Sequence, residues 1–377
     1  MTGNRFVFAA VRCARKLIAG IAGSAIAVGA SCGTARADLD LRFTSPALSA
    51  FFGRPIEMRA EVALPPAYAR EPVRTFPTIY VLHAFGGSYR PTFREDATWQ
   101  AALRAAHVDC VIVFLGASQP YGHNEFVDSP SDGPWETALT TEFIPYVQSR
   151  VRLETSAAGR FLVGHSSGGW SALWLQIERP DFFGGAWAIA PDPVDFHDFT
   201  GIDLTQTPPQ NFYRDEHGER GFVRVGGRDT STLRAYVAKE AARGYGGQFD
   251  SFDAVFGPRA ADGRPAPLFD RATGAIDATV AAYWDEHFDL ARILREHWPT
   301  LGPELAGKLH VFVGTDDTFH LESSVARLAA ELQALGSDAT FTFVPGADHF
   351  TIFQSGGGLI ARIVRDVAAA QAGGGTP

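Results

Sequence analysis

The pentapeptide Gly164-His165-Ser166-Ser167-Gly168 stands between the apolar run Phe161-Leu162-Val163 and a helix-like stretch over residues 170–175 (WSALWL). A serine at the tip of a sharp strand-to-helix turn needs small neighbours, because a Cβ two residues to either side would clash where the backbone folds back. The pattern G-x-S-x-G at this place predicts a buried strand, a tight elbow and a helix in immediate succession. That sequence of elements commits the chain to an α/β architecture with a nucleophile at the elbow. Ser166 is the first candidate catalytic residue.

A pentapeptide is short, and its surroundings have to carry the argument. Upstream, residues 76–85 (FPTIYVLHAF) read as a buried strand that opens into a loop at Gly86-Gly87. Downstream, Asp316-Asp317 and His349 each follow an apolar run, residues 309–313 (LHVFV) and 339–344 (ATFTFV). An acid and a base are thereby expected at the carboxyl ends of strands. Serine hydroxyl chemistry requires both, a base to take the hydroxyl proton and a carboxylate to fix the tautomer of that base. The chain order Ser, Asp, His is the one found in α/β hydrolases. The residues alone leave Asp316 and Asp317 open as the acid. Asp192, after the run 185–189, is a weaker candidate whose bland reading is a shaper of the turn Pro191-Asp192-Pro193.

An oxyanion formed at Ser166 calls for two backbone amides. The expected donors are Ser167, at the amino end of the helix, and Phe85, in the loop before Gly86. Gly86 would let that loop pass close to a substrate, or serve only as a tight turn. Residues 121–129 (YGHNEFVDS) follow the strand expected at 111–115, so Tyr121 and His123 are candidate substrate contacts, with a solvated connection as the alternative. Trp135 is a further candidate and could equally begin the next helix and pack inward. Trp170 and Trp174, four apart on a helix, are expected in the core.

These stretches resemble the esterase D or "putative esterase" family of α/β hydrolases, which includes S-formylglutathione hydrolases, enterochelin esterases, feruloyl esterases and mycolyltransferases. The residues that carry the resemblance are 80–88 (YVLHAFGGS), 133–146 (GPWETALTTEFIPY), 160–175 (RFLVGHSSGGWSALWL), 180–183 (PDFF), 314–319 (GTDDTF) and 345–350 (PGADHF). The resemblance implies a doubly wound, mostly parallel sheet and a serine carboxylic ester hydrolase working through an acyl-enzyme. No metal or organic cofactor is implied. The family places its acid three residues after the glycine that closes the strand, here Gly314, which selects Asp317. Where this chain has Ala84 the family usually carries glycine, and this bears on the geometry of the Phe85 amide. Transfer of the acyl group to an alcohol or sugar would use the same triad, and a non-catalytic binding protein on the same scaffold is the reading from another class.

The N-terminal 37 residues read as a secretory signal: a basic lead (Arg5, Arg12, Arg15, Lys16), an apolar stretch over 17–30, and the A-x-A site Ala35-Arg36-Ala37. The apolar stretch, about 14 residues, is too short to span a bilayer. The expectation is bacterial export to the periplasm or medium, with no stable membrane insertion after cleavage. The segment holds five basic side chains and no acidic one, so its removal takes the formal charge from −9 to −14. Such a charge argues against nucleic acid or an anionic membrane as partner and leaves a small-molecule ester as the expected one. Cys13 and Cys32 fall in the signal, and Cys110 is expected as a small buried core residue. Residues 38–372 are expected to form one α/β-hydrolase domain with an insertion at about 193–308, read as a cap over the site or else as a peripheral addition. Strands are predicted at 56–64, 78–82, 111–115, 160–163, 185–189, 309–313 and 340–344. Helices are predicted at 135–150, 169–177, 321–335 and 359–369, with a helix-like stretch at 278–298 and a disordered tail at 373–377. Sequence leaves the oligomeric state open.

Overall fold

The computed structural model describes residues 38–373. The expected signal and residues 374–377 of the expected tail lie outside the described residues; Gly373 itself ends the last helix. Strands with both faces covered must be apolar throughout. The runs TIYVL, VIVFL and GAWAI meet that requirement, and every residue in them is buried. They belong to an eight-stranded sheet made of β1 (Asp38–Thr44), β2 (Glu57–Ala63), β3 (Thr78–Leu82), β4 (Val111–Leu115), β5 (Arg160–His165), β6 (Gly185–Ile189), β7 (Leu309–Gly314) and β8 (Thr340–Val344). Their spatial order is 1-2-4-3-5-6-7-8. Strands β3 to β8 pair in parallel, and β1 and β2 add antiparallel at one edge. This is the doubly wound, mostly parallel sheet of an α/β hydrolase.

Alternation along each strand divides the core into two layers. Tyr80, Leu82, Val113, Leu162, Ala188 and Val311 face one side, together with α2 (Ser167–Glu178) and much of the chain between β6 and β7. Ile79, Val81, Ile112, Phe161, Val163, Trp187 and Phe312 face the other, covered by α1 (Phe93–Ala106) and α8 (Leu359–Gly373). Cys110 is buried in this second layer as a free thiol. Among the described residues no helix is long and apolar enough to cross a membrane.

Strand β1 was not expected. Its sequence DLDLRFT alternates charge with apolar groups, as an edge strand with one covered face should. The helical stretch predicted at 135–150 contains a π-helical segment, Ala138–Phe143. The stretch at 278–298 is two helices, α5 (Ala278–Phe288) and α6 (Leu290–Leu305), divided at Asp289, whose carboxylate accepts the Arg292 N–H and so caps the second.

Between β6 and β7 the chain also forms a hairpin (Gly221–Val225 with Arg228–Thr232) and the helices α3 (Leu233–Ala241) and α4 (Gln248–Phe256). Phe249, Phe252 and Phe256 recur at helical spacing along α4 and turn one apolar face inward. Phe256 is the hub of the resulting cluster, within 6 Å of the rings of Trp170, Phe196, Phe252, Trp284 and Phe288. Through Trp170 it fastens the insertion to α2. Removing such a buried ring costs about 3–5 kcal/mol, so Phe256→Ala should lower the unfolding free energy by that amount, measured by chemical denaturation.

Candidate functional site

The carboxyl ends of β3, β5, β6, β7 and β8 converge on one rim of the sheet, the usual location of a site in this architecture. At the end of β5 the chain reverses into α2 through Ser166, held at φ 57°, ψ −123°. A non-glycine residue adopts such a conformation only when its surroundings enforce it. Here they do: a Cβ on Gly164 would stand 1.8 Å from the Gly168 carbonyl oxygen, and one on Gly168 would stand 2.2 Å from that of Leu82. The Ser166 N–H donates to Ile189 O at 2.9 Å, tying the elbow to β6.

His349, in the loop after β8, is 2% exposed, and Asp317, after β7, is 0% exposed. His349 Nδ1 lies 2.8 Å from Asp317 Oδ2. A carboxylate can only accept, so Nδ1 carries the proton and Nε2 keeps its lone pair. The other carboxylate oxygen accepts the Phe319 N–H at 2.9 Å. Asp316 is half-buried, and no hydrogen bond joins it to His349 among the described residues; its own N–H donates to Ala347 O. The geometry pairs His349 with Asp317 and not with Asp316. Arg224, from the insertion's hairpin, braces the acid loop by donating to the Asp317 carbonyl through Nη2 (2.7 Å) and Nε (3.1 Å) and to Glu322.

His165, the variable second residue of the pentapeptide, has a structural part that the motif does not disclose. Its Nε2 lies 3.0 Å from His349 O, and its ring centroid is 4.5 Å from that of His349. Burial pushes its pKa down to about 3, so it is neutral and Nε2–H donates, locking the base loop to the elbow.

The loop after β3 is held from beneath. His83 Nε2 accepts the Ala117 N–H at 3.0 Å, and His123 Nε2 donates to His83 O at 2.9 Å. Gly86 takes φ 71°, a left-handed turn that places Phe85 and Ala84. The N–H groups of Phe85 and Ser167 have no protein acceptor among the described residues. His123 thus supports this loop and is buried. Tyr121 is half-buried and meets Tyr245 edge-on at 5.6 Å. Trp135 is buried, donates its indole N–H to Asp132 O, and borders a separate groove of about 610 Å³ with His83 and Tyr89. Gly86, Tyr121, His123 and Trp135 are all absent from the lining of the cavity at Ser166. Glu125, in the same stretch, is fully buried and accepts from Ser171 on α2; burial raises its pKa well above the carboxylate range.

The cavity at Ser166 is small, about 40 Å³, and the insertion builds most of it. Thr200, Phe222, Tyr236, Gln248, Phe249 and Phe252 come from that segment, and Phe319 from the loop after β7. Asp192, Pro193 and Leu321 line it as well. The Ser166 hydroxyl donates to Asp192 Oδ1 at 3.3 Å, the Ser167 hydroxyl to Oδ2 at 2.6 Å, and Gln248 Nε2 to Oδ2 at 3.3 Å. Asp192 therefore faces Ser166 and not His349, a placement that neither sequence reading of it anticipated. Among the described residues one group could hold a metal ion, Asp195, His197 and Asp289. Its oxygens are already engaged, those of Asp289 by the N–H groups of Phe196 and Arg292 and Asp195 Oδ2 by Arg327.

The family model described as "Putative esterase" matches residues 52–293. The chain belongs to this family. It is a carboxylic ester hydrolase by that membership, with small-molecule esters as its substrates. A solved ferulic acid esterase is similar over 89% of this chain and 98% of its own, with a TM-score of 0.55 and 14% identity. The Staphylococcus aureus fluorophosphonate-binding serine hydrolase FphF is similar over the same shares, at 0.51 and 13%. At these identities the likeness concerns the fold. Among curated protein sequences none matches the chain.

Burial pushes the Asp192 pKa up to about 6, against the hydrogen bond from Ser167 and the electrostatic pull of His349. The folded protein holds this proton more tightly than the unfolded chain, so stability falls as pH rises from about 4 to 6 and the full cost stands above that. A shift of about two units corresponds to at most about 3 kcal/mol. Asp192→Asn should stabilise the esterase at pH 7–8 by about 1–3 kcal/mol and leave its stability nearly unchanged below pH 4, measured by denaturation across that range.

Proposed function

We propose that the protein is an exported serine esterase that cleaves its substrate through an acyl-enzyme on Ser166. The observation that carries this reading is the buried 2.8 Å pair of His349 Nδ1 and Asp317 Oδ2, joined through His165 to the elbow that holds Ser166 at a positive φ. In the reaction the hydroxyl turns from Asp192 to His349, whose Nε2 takes the proton as Oγ bonds to the carbonyl carbon. The Ser167 and Phe85 amides receive the oxyanion, and each such donor typically contributes about 2.7–4 kcal/mol to transition-state stabilisation. The tetrahedral adduct collapses, the alkoxide leaves with the proton from His349, and water, deprotonated by the same nitrogen, releases the acid. Asp317 holds the imidazole in the required tautomer and offsets its charge when protonated.

Export is supported by the signal-like residues 1–37, which end in the A-x-A site Ala35-Arg36-Ala37. N-terminal sequencing of protein recovered from the periplasm or medium should start at Asp38. Ser166→Ala should reduce hydrolysis of p-nitrophenyl esters by a factor on the order of 10⁶, and Asp317→Asn by about 10⁴ through the wrong tautomer, each with unfolding close to that of the wild type. A Ser166→Ala rate within tenfold of wild type would sink the assignment. Acyl products on an added alcohol in place of free acid would move the reading to acyl transfer.

A further inference from the structure

A carboxylate shut away from water is expensive unless something neutralises it, and it persists where it has work to do. The acid loop meets this condition, because Asp317 is paired with His349. Asp192 does not. Its side-chain partners are two hydroxyls and an amide, all neutral, and among the described residues no lysine or arginine is paired with it. It has a wall in the cavity beside the nucleophile, and the neighbouring walls are aromatic: Phe222, Tyr236, Phe249 and Phe252. Aromatic surroundings attract cations and repel anions. A second observation points to a ligand. Thr200 lines the same cavity, is 7% exposed, adopts a left-handed φ of 54° that a β-branched residue rarely takes, and has a buried hydroxyl without a protein partner.

We propose that Asp192 and Thr200 receive a positively charged ammonium group on the carbon next to the ester carbonyl, so that the substrate is an ester of an α-amino acid. The inference rests on the esterase reading above and names the acyl half of its substrate. Distance places the group. Asp192 Oδ1 is 3.3 Å from Ser166 Oγ, so an ammonium bonded to that carboxylate stands two bonds from a carbonyl carbon presented to Oγ. Size is compatible, since the cavity beside Ser166 is small, about 40 Å³, and suits a compact acyl group. Gln248 and Ser167, which hold Oδ2, leave Oδ1 to turn from the serine hydroxyl to the substrate as the hydroxyl turns to His349. The same carboxylate disfavours acyl groups that carry a negative charge.

The test compares alanine ethyl ester with ethyl isobutyrate, in which a methyl group replaces the ammonium, and with monoethyl malonate. Each kcat/KM is divided by the ester's own hydroxide-catalysed rate, which removes the activating effect of the ammonium. The wild type should favour the alanine ester over the isobutyrate at least tenfold and turn over the malonate most slowly. In Asp192→Asn the first ratio should fall close to one. Labelling of Ser166 by a fluorophosphonate is read alongside. Labelling without faster turnover of the alanine ester, whether the esters react alike or not at all, overturns the inference alone, as does a preference that survives in Asp192→Asn. Absence of labelling overturns the esterase reading and the inference with it.

Discussion

The contact between Gly164 and the carbonyl of Gly168 leaves no room for a side chain, and the active rim of the sheet is built outward from it. Because the two backbones touch, β5 must stop at His165 and α2 must begin at Ser167, with Ser166 forced into a conformation it would not choose. The amino end of α2 is thereby aimed at the place where an oxyanion would form. His165 then ties the base loop to the elbow through the backbone of His349. One close approach between glycines thus sets the positions of Ser166, the Ser167 amide and His349, drawn from distant parts of the chain.

The site contains two carboxylates of opposite electrostatic character. Asp317 is fully buried yet supplied with an imidazole and a backbone amide, so its charge is met from within the protein. Asp192 is nearly as buried and supplied only with neutral donors, and its pKa rises accordingly. The first arrangement suits a group that must stay ionised through a catalytic cycle. The second leaves an electrostatic deficit beside the nucleophile, which the folded protein carries at the expense of its stability.

The central strands were readable because burial on both faces makes them continuous apolar runs, as in VIVFL and GAWAI. The elbow was readable because its steric demand falls on residues adjacent in sequence. Strand β1 escaped notice because an edge strand alternates and needs no such run. The cavity was the least legible part. Ser166, Asp192, Thr200 and Gln248 meet only through the folding of a long insertion, and nothing local to Thr200 or Gln248 marks them. The stripe Phe249, Phe252, Phe256 was a usable signal for an inward-facing helix in that insertion. The stretch 121–129 had the composition of a binding loop, yet His123 and Glu125 are buried supports of the elements that carry the chemistry. Composition marks polar groups as important without saying whether they serve a ligand or a backbone.

From Asp38 onward Cys110 is the only cysteine in the sequence, and it lies in the core layer beneath α1 and α8, its thiol pushed up to about 12 by burial. A thiol so placed is silent toward alkylating reagents and oxidants. From Asp38 onward the folded protein therefore offers a blank background for thiol chemistry, with Cys13 and Cys32 the two other cysteines to replace in a full-length chain. In a chain that starts at Asp38, a single cysteine introduced on the exposed turn after α3, at Arg243, and another at the exposed Phe93 on the start of α1 would be the sites to take a spin label or fluorophore. The distance between the insertion and the sheet could then be followed in an otherwise unaltered enzyme, with and without an ester analogue on Ser166.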